Sequence, residues 1–291
     1  MKLKLTGTGV ALVTPFNQMQ AIDYNGLQQL LAYTQNHVEY WVVQGTTGET
    51  ATTTLQEKTD LLAFVKQNNP KGLPIVYGLG GNNTEELLAY IDKTDFGGVS
   101  AILSVSPYYN KPSQAGIIRH YQLLADRSPV PVILYNVPAR TGSNLTAETT
   151  LTLAQHPNII GIKEASGNFT QCLSIAKNKP QDFMLISGDD MLTVPLIAVG
   201  ACGVISVLAN AYPKTFAEKV RLALAGNFTE ATKILHQFLE INDLMYAEGN
   251  PTGIKYSLKL AGVADEFVRL PLVTASEGLK QKIQLWHEKI Q

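Results

Sequence analysis

Short apolar runs punctuate the chain about every 25–30 residues, with helical patterns between them. The first four are Val10-Ala11-Leu12-Val13, Tyr40-Trp41-Val42-Val43, Pro74-Ile75-Val76-Tyr77 and Val99-Ser100-Ala101-Ile102-Leu103. The other four are Pro131-Val132-Ile133-Leu134-Tyr135, Ile159-Ile160-Gly161-Ile162, Phe183-Met184-Leu185-Ile186 and Gly203-Val204-Ile205-Ser206. They are apolar on successive residues instead of alternating, which suits parallel strands buried on both faces. Between them, Leu27, Leu30, Leu31 and Val38 share a helical stripe, and Asn83 with Glu86 reads as a capping box ahead of Leu87, Leu88 and Ile91. Eight β/α units in one chain predict an α/β fold of the (β/α)8 (TIM) barrel type, with a doubly wound sheet as the alternative. The eighth unit closes near Gly226, so residues 1–226 are expected to form the barrel. Residues 227–291 read as a C-terminal helical extension, with helices over 229–246, 252–260 and 276–290 separated by Asn250-Pro251 and Pro271.

Composition narrows the function classes. Hydrophobic residues make up 45% and charged residues 16%, an ordinary globular profile, and the formal net charge is −1. That balance gives no reason to expect nucleic acid or an anionic membrane as partner. No apolar run approaches the ~20 residues of a membrane span, and Met1-Lys2-Leu3-Lys4-Leu5 leads straight into Gly7-Thr8-Gly9 without a signal-peptide core. Cys172 and Cys202 are read as reduced, packed thiols of a cytoplasmic protein, so the sequon Asn168-Phe169-Thr170 carries no glycosylation meaning. The histidines His37, His120, His156, His236 and His287 form no ligand pair, so no metal is expected.

Barrel enzymes build their sites where the strands end, so the residues just after each run carry the functional signal. Run two leads into Gln44-Gly45-Thr46-Thr47-Gly48-Glu49, run three into Gly78-Leu79-Gly80-Gly81-Asn82, and run four into Ser106-Pro107-Tyr108-Tyr109-Asn110. Run five ends Tyr135-Asn136-Val137-Pro138-Ala139-Arg140-Thr141-Gly142, run six ends on Lys163, and run seven meets Ser187-Gly188-Asp189-Asp190. Lys163 and Tyr135 thus fall at the same end of adjacent strands. An amine beside a phenol can form an imine with a ketone while the phenol shuttles protons. An ordinary lysine is neutral at pH 7 only about once in 2,500; bringing its pKa near ~7 removes that penalty and costs the charged form roughly 4–5 kcal/mol relative to water.

Each of these residues also has a plainer reading. Lys163 pairs with Glu164 or another acid, although adjacent strand residues point to opposite faces. Tyr135 is a packed aromatic with a satisfied hydroxyl. Arg140 is a surface charge, or a bidentate clamp for a carboxylate. Thr46 and Thr47 shape a turn, or bind a carboxylate and relay a proton. Gly78-Leu79-Gly80-Gly81-Asn82-Asn83 lacks the third spaced glycine of a dinucleotide fingerprint and the lysine of a P-loop, and reads as a tight turn. Gly188-Asp189-Asp190 reads as a helix N-cap in preference to a metal site.

Several loops together resemble one family. Gly45-Thr46-Thr47-Gly48-Glu49, Pro107-Tyr108-Tyr109-Asn110-Lys111-Pro112, the segment from Tyr135 to Gly142, Gly161-Ile162-Lys163-Glu164, Ser187-Gly188-Asp189-Asp190 and Asn250-Pro251 with Lys255 are similar to the dihydrodipicolinate synthase family of pyruvate-dependent class I lyases and aldolases. The resemblance spans essentially the whole chain. It implies condensation of pyruvate with L-aspartate 4-semialdehyde, in the diaminopimelate route to lysine, through a Schiff base and enamine on Lys163 and with no cofactor. It implies Tyr135 as central proton donor and acceptor, and Thr46 and Tyr109 as its relay partners. Thr47 would hold the pyruvate carboxylate, Gly188 and Ile205 would line the pocket, and Arg140 would receive the carboxylate of the semialdehyde.

In that family the tyrosine matching Tyr109 enters the neighbouring subunit's site, so the resemblance implies a homo-oligomer: a dimer as catalytic minimum and a tetramer as the usual form. Asn82, Glu86 and Tyr108 match an allosteric lysine pocket, but Leu55 and Lys58 stand where strongly inhibited members carry histidines. A cationic Lys58 would repel a ligand ammonium, so weak or absent feedback is expected. The alternative within the family is an aldolase such as N-acetylneuraminate lyase or a 2-keto-3-deoxy sugar acid aldolase, which would share Lys163 and Tyr135. Thr46, Thr47, Tyr109 and Arg140 suit a carboxylate-bearing second substrate better than a polyhydroxyl chain.

Overall fold

A computed structural model describes residues 3 and 5–290. The chain alternates strand and helix: β1 Gly7–Ala11, α1 Tyr24–Thr34, β2 Tyr40–Val43, α2 Leu55–Gln67, β3 Ile75–Gly78, α3 Thr84–Lys93, β4 Ala101–Val105 and α4 Gln114–Arg127. It continues through β5 Val132–Asn136, α5 Pro138–Thr141, α6 Ala147–Leu153, β6 Ile159–Glu164, α7 Phe169–Asn178, β7 Met184–Ser187, α8 Thr193–Ala198, β8 Gly203–Ser206 and α9 Pro213–Leu224. Four helices complete it: α10 Phe228–Gln237, α11 Leu239–Tyr246, α12 Thr252–Leu260 and α13 Glu277–Ile290. The eight strands are all parallel and close in sequence order, β1 pairing with β8. This is the (β/α)8 barrel that the eight runs predict.

Burial follows the two-residue period of a strand. Tyr40, Val42, Val76, Leu103, Ile133, Tyr135, Ile186 and Ile205 pack together inside the barrel. The residues between them, such as Trp41, Val43, Leu134, Ile162 and Val204, join the larger core under the helices. The interior is filled, not a pore: a Cβ on Gly9 would lie 2.1 Å from the Tyr40 ring. Only glycine there lets the ring cross the barrel. Extension residues Phe238, Ile241, Met245, Ile254, Leu258, Ile283 and Trp286 belong to the same outer core, so the C-terminal helices pack as part of it.

The structure corrects several local readings. The sixth strand runs one residue past Lys163, to Glu164. Val38 is buried but lies beyond α1, which stops at Thr34. Asn83 caps α3 by accepting the Glu86 N–H at 3.4 Å, and no reciprocal bond from the Glu86 side chain completes a box. The segment read as one helix over 229–246 is two, α10 and α11, meeting at Phe238. Phe238 is 2% exposed, so anchoring it in the core sets the break.

Candidate active site

Strand geometry settles where Lys163 points. Tyr135 and Lys163 are register partners on β5 and β6, and Tyr135 faces the barrel interior. Lys163 therefore faces inward as well, and its Nζ lies 4.4 Å from the centroid of the Tyr135 ring. Both are buried, at 6% and 7% exposure. Glu164 faces the other way. Its carboxylate accepts from Asn136 Nδ2 at 3.0 Å, Ser166 N–H at 2.7 Å and Gln171 Nε2 at 2.9 Å. Glu164 is thus saturated by neutral donors, and no carboxylate is paired with Lys163 among the described residues. Gly188 explains how the lysine stem is held: a Cβ there would lie 2.6 Å from Ala165 Cβ and 3.1 Å from Lys163 Cε. Ile205, 1% exposed on β8, closes the interior as the register partner of Gly9.

The loop after β2 carries Thr46 and Thr47 on a single 3-10 turn, Thr46–Gly48. The left-handed residues Gln44 (φ 62°) and Glu49 (φ 53°) bracket it. Non-glycine residues hold that conformation only when their surroundings enforce it. Here Gln44 Oε1 accepts from Thr53 Oγ1 at 2.9 Å, and Thr14 Oγ1 donates to Gly48 O at 2.7 Å. The C-terminal extension supplies the rest. Asn250 Nδ2 donates to Thr47 Oγ1 at 3.0 Å, and Arg269 N–H donates to Glu49 Oε2 at 3.0 Å. Lys255 Nζ lies 2.5 Å from Glu49 Oε1 with both side chains buried, and donates to Phe267 O at 2.7 Å. Burial pushes the Lys255 ammonium down to about 8 against the upward pull of Glu49.

The β4 loop holds Tyr108 and Tyr109. Ser106 N–H donates to Tyr135 O at 3.0 Å, which ties this loop to the strand end. Tyr109 is left-handed (φ 72°) and 87% exposed, so its ring reaches away from its own barrel. Asn82 Nδ2 donates to Tyr108 O at 3.1 Å and Asn82 O accepts from Asn110 Nδ2 at 3.0 Å, so Asn82 shapes this loop. Glu86 is exposed on α3. Arg140 is exposed on the single turn α5, and its guanidinium makes no ion pair among the described residues.

A cavity of about 530 Å³ opens at this end of the barrel. Thr46, Glu49, Lys58, Tyr108, Tyr135, Arg140 and Asn250 all line it. It therefore joins the phenol, the threonine loop and Arg140, and it places Lys58 on the same cavity. The side chain of Thr47 turns instead toward Asn250. Gly188-Asp189-Asp190 does not cap a helix as expected: Asp189 Oδ1 accepts from Met191 and Leu192 N–H, and α8 starts later without a side-chain cap. Asp190 is buried and accepts from Val207 N–H at 3.1 Å and Leu208 N–H at 2.8 Å. Among the described residues no group of three or more His, Cys, Asp or Glu side chains could hold a metal ion.

Residue patterns did not single out Glu49 as a buried anchor or Tyr246 as a site neighbour. Tyr246 lies near enough to Asp190, Asp189, Tyr135 and Arg140 to feel their charge. Its position at the end of α11, four residues before Asn250, was the available signal.

A lysine and a tyrosine paired at the C-terminal end of a closed parallel barrel define a class I, Schiff-base lyase. The chain belongs to the dihydrodipicolinate synthetase family, whose model matches residues 4–289. It is 50% identical to a 4-hydroxy-tetrahydrodipicolinate synthase of Cytophaga hutchinsonii, over 98% of this chain and 96% of that one. It is 48% identical to the same enzyme of Parabacteroides distasonis, over 97% and 96%. The solved synthase of Cyanidioschyzon merolae with lysine bound superposes with a TM-score of 0.93 at 36% identity, covering 98% of this chain and 97% of that one.

Proposed function

We propose that the chain catalyses the 4-hydroxy-tetrahydrodipicolinate synthase reaction, the condensation of pyruvate with L-aspartate 4-semialdehyde, in preference to sugar-acid cleavage. The observation that carries the imine chemistry is the register pairing of Tyr135 with Lys163, with Nζ 4.4 Å from the ring centroid, and the 50% identity to a 4-hydroxy-tetrahydrodipicolinate synthase supports the semialdehyde over a sugar acid. Neutral Lys163 adds to the pyruvate ketone, and Tyr135 moves protons on and off the carbinolamine until water leaves. Loss of a methyl proton from the imine gives an enamine, which attacks the aldehyde carbon. The substrate's own amine then displaces Lys163 and closes the ring. The imine is the electron sink, so the reaction runs without a metal or cofactor.

In this reading Thr46 passes protons between Tyr135 and Tyr109 of a neighbouring copy, and Thr47 orients the pyruvate carboxylate. Gly188 and Ile205 shape the pyruvate pocket, and Arg140 clamps the carboxylate of the semialdehyde. The 87% exposure of Tyr109 supports a homo-oligomer, with a dimer as the working unit and a tetramer as its assembly. No described helix is long and apolar enough to cross a membrane, which is compatible with work in the cytoplasm. The test supplies pyruvate with aspartate semialdehyde and follows the product with a downstream reductase. Turnover supports the reading; turnover of a sugar acid but not of the semialdehyde overturns it.

A further inference from the structure

The junction between β7 and β8 is the thinnest of the barrel. These strands share one register pair, Ser187 with Val204, where each of the other seven junctions has three or more. Both inner walls beside Lys163 stand at this gap: Gly188 directly follows β7, and Ile205 lies on β8. Ladder hydrogen bonds therefore do little to fix the spacing of the two walls. Asp190 spans the gap. Its Oδ2 accepts from the Val207 and Leu208 N–H groups, so a side chain of the β7 loop holds the backbone where β8 ends.

Asp190 is itself held from outside the barrel. Lys219, on α9, is 0% exposed and donates from Nζ to Asp190 O at 3.0 Å. The same Nζ lies 3.7 Å from the centroid of the Phe216 ring and 5.7 Å from that of Phe238, the residue that anchors the α10–α11 break. Burial pushes the Lys219 ammonium down to about 8, and the charges of Asp190 and Asp189 pull it back up, so at neutral pH it is mostly a cation. A buried cation without an ion pair is costly. Lys219 forms no ion pair among the described residues and does not line the cavity. Its backbone partner is the loop that carries Gly188.

We propose that Lys219 is a positioning residue for pyruvate: its ammonium fixes the Asp190 backbone, the Asp190 carboxylate holds the end of β8, and Gly188 and Ile205 keep the spacing that imine formation needs. The proposal rests on the Schiff-base reading of Lys163. Gly188 already leaves no room beside the lysine stem, since a Cβ there would lie 3.1 Å from Lys163 Cε. A small shift of this wall therefore misplaces the amine against its ketone. The semialdehyde end is placed elsewhere. Arg140 follows β5, on the other side of β6, so it lies outside the clasp.

The test incubates the full chain with pyruvate over a concentration range, reduces it with borohydride and reads the pyruvyl adduct by intact mass. Steady-state kinetics with both substrates run alongside, on wild type, Lys219→Met, Lys219→Gln and Ile283→Ala. Lys219→Met is expected to raise the half-saturating pyruvate for trapping, and KM for pyruvate, about tenfold, as loss of one charge-assisted bond does. Its kcat should stay within about threefold and its KM for the semialdehyde within about twofold. Lys219→Gln keeps a neutral donor and should fall between. Ile283→Ala opens the same outer core on α13, where Ile283 is 0% exposed, so it should lower the melting temperature and leave both KM values alone. If Lys219→Met melts below the assay temperature, Lys219→Gln carries the comparison. Half-saturating pyruvate within about twofold of wild type in the Lys219 variants overturns the proposal. So does a rise that Ile283→Ala matches, and so does an equal rise in both KM values. Absence of any adduct in wild type overturns the Schiff-base reading and this proposal with it, whereas normal wild-type trapping with unmoved Lys219 variants overturns this proposal alone.

Discussion

Replacing Lys255 with Met should disable the threonine loop from a distance. Lys255 and Glu49 are 0% and 2% exposed at the side chain and 2.5 Å apart, so Lys255→Met strands a carboxylate in a dry site. Breaking one half of a buried pair typically costs about 3–5 kcal/mol, because the remaining charge loses both water and partner. For a chain of this size that is roughly 6–10 °C in melting temperature. The loss should not stop at stability. Glu49 is held in the left-handed region at the end of the Thr46–Gly48 turn, so its release loosens Thr46 and Thr47. We expect kcat/KM to fall roughly tenfold or more, mostly through KM for pyruvate. The double variant Glu49→Gln with Lys255→Met should be about 1–3 kcal/mol more stable than the sum of the singles predicts. Urea melts with steady-state kinetics on all three variants decide it. A Lys255→Met cost below ~1 kcal/mol, or strict additivity, refutes the reasoning.

Three further outcomes are expected. Tyr135→Phe keeps the ring against Lys163 but removes the hydroxyl, so kcat should drop by about 10²–10⁴ while the melting point hardly moves; steady-state kinetics and calorimetry report the two. Acid should weaken the fold in two windows. Burial lowers His120 to about 4, so stability falls as pH drops from its usual ~6.5 through ~4. The Arg269 hydrogen bond lowers Glu57 to about 2, so its contribution is complete above ~4.5 and fades down to ~2. Glu57→Gln should flatten the lower window in melts run across pH. Free lysine should inhibit weakly or not at all, because a cationic Lys58 on the cavity would repel the ligand's ammonium; half-inhibition below about 1 mM in a steady-state assay would contradict this.

Much of this site was readable because strand ends obey a simple rule. Apolar runs locate the strands, parallel order makes every C-terminal end face one way, and a period of two separates Lys163 from Glu164. What sequence did not display is long-range satisfaction of polar groups. Asn250 reaches Thr47 across 203 positions and Arg269 reaches Glu49 across 220, and no local pattern encodes either. Asp190 misled for the same reason. An acid before a short helix looks like a cap, yet Asp190 is spent on the backbone after β8 and on a region that includes Lys219, which donates to the Asp190 carbonyl at 3.0 Å. Phe238 shows tertiary packing overruling continuity: its burial ends one helix and starts another within a single periodic stretch.

The most direct test of the account is chemical trapping. Incubation with pyruvate, reduction by borohydride and peptide mapping should place one pyruvyl adduct on Lys163 and on no other lysine. Lys163→Ala should abolish it, and buried Lys219 and Lys255 should stay unmodified. An adduct on another lysine, or none on a folded chain, would contradict the Schiff-base assignment.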